Sequence, residues 1–143
     1  MPQHLTYIKG VVYTPVMLNA IGLSSPNPET TTSNVQLVAG AKSVIIEFIG
    51  TGITTRSAVL TITVSMDGGT NFRAYSMLIS NTTNANTEQL TRVASITKTT
   101  TGITIGWMTP ETLAGITHIK ATLIITDSGT PAGSFTVKAA IAY

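Results

Sequence analysis

The chain has 143 residues, 43% of them hydrophobic and only 10% charged, where soluble domains usually carry roughly 25% charged residues. Its cations Lys9, Lys42, Arg56, Arg73, Arg92, Lys98, Lys120 and Lys138 are dispersed along the chain and read as solvated single charges, so no clustered basic patch serves nucleic-acid binding. There is no cysteine, which excludes disulfides, thiolate chemistry and Cys-ligated zinc.

In chain order, the N-terminal "MPQHLTYIKG" lacks the charged head and apolar run of a signal peptide, which predicts synthesis in a cytoplasm without an export signal. No apolar run approaches the length of a membrane span. A first strand is expected over 5–16, with 1–9 a possible arm. The segment 22–33, "GLSSPNPETTTS", has two prolines and reads as a surface loop or mobile arm. A short strand follows at 35–38. The run "KSVIIEFIG" (42–50) is apolar on both phases except at Glu47, so it reads as a central strand or one with its second face covered. In 58–66, Ala58, Leu60, Ile62, Val64 and Met66 alternate with mostly polar residues, the period of a half-buried strand.

Further strands are expected at 72–79, 89–96 and 103–108, with "SNTTNANTE" (80–88) a long polar loop between the first two. Residues 110–114 are expected to form one helical turn, with Thr109 as N-cap and Pro110 at the first helical position. Two clear strands end the chain. One carries Ile119, Ala121, Leu123 and Ile125 on a single phase, and the other Phe135, Val137, Ala139, Ile141 and Tyr143. The intervening "DSGTPAGS" (127–134) reads as a hairpin loop. About eight strands at spacings of roughly 8–15 residues predict an all-β fold, an antiparallel β-sandwich of jelly-roll-like type, in a single domain over 1–143.

The stretch "SMDGGTNFRAY" (65–75) contains the one glycine-rich turn that could cradle a phosphate. A P-loop needs Lys-Ser/Thr and then a helix, whereas here an alternating aromatic segment follows. Asp-Gly between two alternating runs predicts a hairpin turn, with Asp67 and Asn71 capping backbone donors. One carboxylate is too few for calcium. His4 and His118 have no metal-ligating partners at close spacing and read as surface residues. The acids Glu29, Glu47, Asp67, Glu88, Glu111 and Asp127 form no motif. Glu47 is the most unusual, and a salt bridge or interface contact is expected of it. Tyr75 and Trp107 are candidates for an aromatic platform, with core packing or a subunit interface as the plainer assignment. No catalytic, cofactor-binding or metal-binding residue emerges.

The segments "VQLVAGAKSVIIEFIGTG", "LTITVSMDGGTNFRAY" and "ITHIKATLIITDSGTPAGSFTVKAAIAY" together resemble small β-sandwich virion proteins of tailed bacteriophages, over about residues 35–143. The resemblance implies a non-enzymatic structural protein of the virion, made in the host cytoplasm. It implies a capsid decoration (cement) protein that bridges major capsid subunits, commonly as a homo-trimer, with no cofactor, nucleic acid or membrane as partner. Two other classes stand beside it: a tail- or head-fibre or carbohydrate/receptor-binding module, which needs an exposed aromatic row, and a hydrolase, which needs a cleft with two carboxylates.

Overall fold

The computed structural model describes residues 12–22, 27–84 and 87–143, and of 80–84 and 87–90 only the backbone. The elements are β1 (Val12–Tyr13), β2 (Val16–Ile21), β3 (Glu29–Thr32), β4 (Gln36–Leu37), β5 (Ser43–Ser65), β6 (Arg73–Ala74), β7 (Met77–Asn84), β8 (Thr87–Val93), β9 (Ile96–Lys98), β10 (Gly102–Met108), α1 (Pro110–Leu113) and β11 (His118–Ala142). The fold is all-β and antiparallel; among the described residues it is one open sheet of 11 strands with a single helical turn.

Two strands carry the architecture. β5 has 23 residues and β11 has 25, far beyond the usual length of about 5–6. They pair with each other from His118↔Ser65 to Ala142↔Ser43. Each joins two runs that look separate in the sequence. The expected hairpin at 127–134 is therefore not formed. Those residues are a corner within β11 that faces a matching corner in β5, with Asp127↔Arg56, Ala132↔Thr54 and Ser134↔Thr51 as partners. Gly and Pro in "DSGTPAGS" do mark a break in regular backbone, but the break bends the strand instead of reversing it.

The bend decides what is buried. In β5 the even residues Val44, Ile46 and Phe48 are buried before the corner, and Ala58, Leu60, Ile62 and Val64 after it. In β11 the odd residues Ile119, Ala121, Leu123 and Ile125 are buried, and then Phe135, Val137, Ala139 and Ile141. One face of the ribbon thus stays inside along its whole length, and both halves contribute to one hydrophobic core. The corner preserves this phase. Between the Ala58–Ile125 and Phe48–Val137 pairs, β11 advances twelve residues (125 to 137) while β5 retreats ten (58 to 48). An even excess leaves every side chain on its original face. Phe48 and Phe135, both fully buried, meet beside the corner with ring centroids 5.7 Å apart and planes tilted by 47°.

The remaining strands hang from this ribbon. β10 and then β7 and β8 extend the first half of β5, while β6 and β9 pair with its second half. β1 and β2 flank β11 after the corner, and β3 and β4 flank it before.

Several expected boundaries move. The first strand is interrupted at Thr14–Pro15 and runs on to Ile21; the proposed arm 1–9 lies outside the described residues. Part of the expected loop 22–33 is strand β3. The expected strand 72–79 splits into β6 and β7, and the expected loop 80–88 supplies arms of the β7–β8 hairpin. Cross-strand pairing outweighs the polar composition there, because Thr is a good strand former. Thr109 is the N-cap of α1 by position, but its side chain makes no capping hydrogen bond.

The two corners touch backbone to backbone. Gly133 has φ +95, and a Cβ there would lie 2.5 Å from the Gly52 carbonyl oxygen. Gly68 has φ +76 but open space around it. Gly133→Ala should therefore cost about 2–4 kcal/mol, and Gly68→Ala about 1 kcal/mol. Urea denaturation of both variants checks this; equal losses would contradict the close approach.

Candidate functional site

The glycine-rich turn closes on itself. Asp67 Oδ1 accepts from the Ser65 hydroxyl (2.7 Å) and from the backbone N–H of Asn71 (2.9 Å) and Thr70 (3.2 Å). Its Oδ2 accepts from Asn71 Nδ2 at 2.7 Å. Ser65 Oγ in turn accepts from Gly69 N–H at 2.9 Å. Asp67 caps backbone donors as expected, whereas the Asn71 side chain serves the carboxylate. The Asn71 N–H, then the Ser65 hydroxyl and the Asn71 amide, hold the Asp67 carboxyl far below the usual carboxylate range. Both carboxylate oxygens are spent on the turn. β6 returns beside β5 through Thr63↔Ala74 and Val64↔Arg73, completing the expected hairpin.

His118 is half-buried, and its ring lies over Gly69, 3.5 Å from where a Cβ would sit. Its Nδ1 lies 2.9 Å from Thr117 Oγ1. His4 lies outside the described residues, and only the backbone of Glu88 is described. Glu47 is half-buried on the outward phase of β5, opposite Lys138 on β11 and Ile105 on β10. Among the described residues no group of three or more His, Asp or Glu is placed to hold a metal. Tyr75 packs against the core, while Trp107 lies on the outward phase of β10, so the two aromatics form no common platform.

Among the described residues, Arg56 and Lys98 depart furthest from the expectation of solvated single charges. Arg56 grips the corner of β11, with Nε donating to Asp127 Oδ1 (2.7 Å) and Nη2 to Oδ2 (2.9 Å), and with Nη1 donating to the Gly133 carbonyl. The bidentate bond from Arg56 lowers the Asp127 pKa. Asn27 adds a second tie, since its side chain exchanges two hydrogen bonds with the backbone N–H and C=O of Asp127. Lys98 is 7% exposed on the inner phase of β9. Its Nζ donates to Thr104 Oγ1 at 3.0 Å, and burial lowers its pKa. The alternation in "ITK" places Lys98 in phase with buried Ile96, a signal present in the sequence but too short to weigh.

The outward phases of the two ribbon halves differ in chemistry. After the corner in β11, the sheet presents rows that run across its strands. They are Trp107–Ile45–Ala140, then Ile105–Glu47–Lys138–Val16, then Ile103–Ile49–Thr136. Ile103 is 61% and Val16 49% exposed. On the other half the rows are Thr32–Thr122–Thr61 and Thr30–Ile124–Val59–Thr97. Lys120 joins this half, with its Nζ 4.2 Å over the Phe72 ring.

No family model matches the chain, and no curated protein matches it. Among solved structures, the SPBc2 prophage-derived protein YomS is similar in fold, with a TM-score of 0.55 and 14% sequence identity over 92% of each chain.

Asp67 and Asp127 both have folded-state pKa values below the ordinary Asp value of about 3.9. Below that value the unfolded chain binds more protons than the folded one. Their contribution is complete at neutral pH and is lost as the pH falls through the folded-state values. Asp67→Asn and Asp127→Asn should each lower the melting temperature at neutral pH and flatten its decline in acid. Thermal melts over an acid pH series check this; an acid limb that neither substitution alters would contradict it.

Proposed function

We propose that this chain is a structural protein of a tailed-phage virion, and within that class a capsid decoration protein. The observation that carries the reading is the threonine-rich outer face of the second ribbon half. Its hydroxyls offer donors and acceptors without the desolvation cost of charges. A large capsid protein can be covered by such a face through many weak contacts, and repetition over the shell turns them into avidity. The similarity in fold to a prophage-derived protein supports the phage setting. The low overall charge supports a protein built to be covered.

The mechanism is mechanical. The ribbon lies across a joint between major capsid subunits and adds buried area where internal pressure would open the shell. Glu47 and His118 have no chemical step to perform, so Glu47→Gln and His118→Ala variants lose no turnover. The protein acts on the virion, after synthesis in the host cytoplasm.

The test is to purify virions of the phage or prophage that encodes the chain. Mass spectrometry should detect the protein at many copies per particle, and electron microscopy should place it on the head. Thr122→Arg, at the centre of the threonine face, should fold but no longer decorate heads. Absence from virions overturns the structural role. Density confined to a tail fibre overturns decoration and favours the fibre class.

A further inference from the structure

We infer that the isoleucine-rich outer face of the first ribbon half binds a second copy of this chain, face to face about a two-fold axis. Three features of the face point to that occupant. It is apolar at Ile45, Ile49, Ile103, Ile105 and Trp107, and none of these joins the buried core cluster. Contiguous apolar surface of this kind marks a binding site in a soluble protein. Its middle row also sets one acid beside one base, Glu47 opposite Lys138. A two-fold axis in the plane between the two faces, parallel to the strands and midway between Glu47 and Lys138, places each Glu47 against Lys138 of the partner subunit, so the charges satisfy each other twice.

The area suffices as well. Five strand positions, from β1 and β2 through β11, β5 and β10 to β7, form the face. At about 4.8 Å between strands and about six residues of about 3.3 Å along each, one copy offers about 500 Å². A pair then buries on the order of 1,000 Å², the lower bound for a specific interface. Sheet faces packed this way interdigitate at about 10 Å, as the two layers of a sandwich do. The trimer expected from the phage resemblance needs a heterologous contact between two different patches; this face is complementary to itself and closes at two copies. The inference does not depend on the decoration role, since the pairing exists or fails in the purified protein alone.

The experiment is charge exchange followed by mixing. Glu47→Lys leaves two positive charges in the row, and Lys138→Glu leaves two negative ones. Light scattering after size exclusion should give a dimer for the wild type. Each variant alone should self-associate on the order of tenfold or more weakly, and an equimolar mixture should restore the dimer mass. Circular dichroism confirms that the variants are folded. If either is not, the single tryptophan gives a second reading. Trp107 lies on the face, so wild-type emission should shift to the blue as concentration rises through the association range. A wild-type monomer with concentration-independent emission overturns the inference. So does a stable trimer, or a dimer whose mass neither substitution changes.

Discussion

β5 and β11 stay paired along almost their whole length because they break regular backbone at the same place, where their register shifts together. That shared corner is the constraint on which the rest of the structure depends. Gly133, with no Cβ, lets the backbones touch, Gly52 turns the β5 corner with φ +61, and Arg56 binds both ends of the β11 corner through Asp127 and the Gly133 carbonyl. Thr55 takes φ 47 within it, an unusual conformation for a β-branched residue. With the corner set, the two halves of the ribbon close over their shared apolar face. Each half then recruits short strands to its edges.

Because the ribbon keeps one face inside throughout, its outer face is also continuous in phase. The composition of that outer phase nevertheless changes across the corner. Before it in β5 stand Ile45, Glu47 and Ile49; after it stand Val59, Thr61 and Thr63. Both segments are equally good strand formers, since β-branched residues suit the pleated surface with or without a hydroxyl. Folding alone therefore does not require the difference. What the two surfaces can touch does differ, one being suited to apolar packing and the other to hydrogen-bonded contact without net charge.

Much of the fold was legible because strand alternation has a period that sequence carries directly. The buried apolar residues Ala58, Leu60, Ile62 and Val64, Ile119 to Ile125 and Phe135 to Ile141 follow from it, whereas Met66, on the same phase just past the end of β5, is 63% exposed. The turn at Asp67 was equally legible, because Asp-Gly imposes a local geometry. The ribbon was not. Gly and Pro mark where regular backbone ends, but a corner and a reversal use the same residues. Only pairing with a segment about seventy residues away, as between Arg56 and Asp127, separates the two. The buried Lys98 and the gripping Arg56 were hidden for a related reason. A cation's surroundings come from other strands, and spacing within its own strand says little about them.

The order in which the ribbon is made has a consequence for the living cell. β11 is synthesised after β1, β2, β3, β4 and β5, and it is hydrogen-bonded to all five. Until it emerges from the ribosome, β5 is a long segment of alternating apolar residues with no partner on one side. The nascent chain has few charges to keep such segments apart. Closure of the core is therefore a late, long-range event, slow by the measure of sequence separation. A cell making many copies at once must prevent one chain's β5 from taking another chain's β11. The corner adds a check on register, because Gly52, Gly133, Arg56 and Asp127 meet only when the two strands are paired in full register.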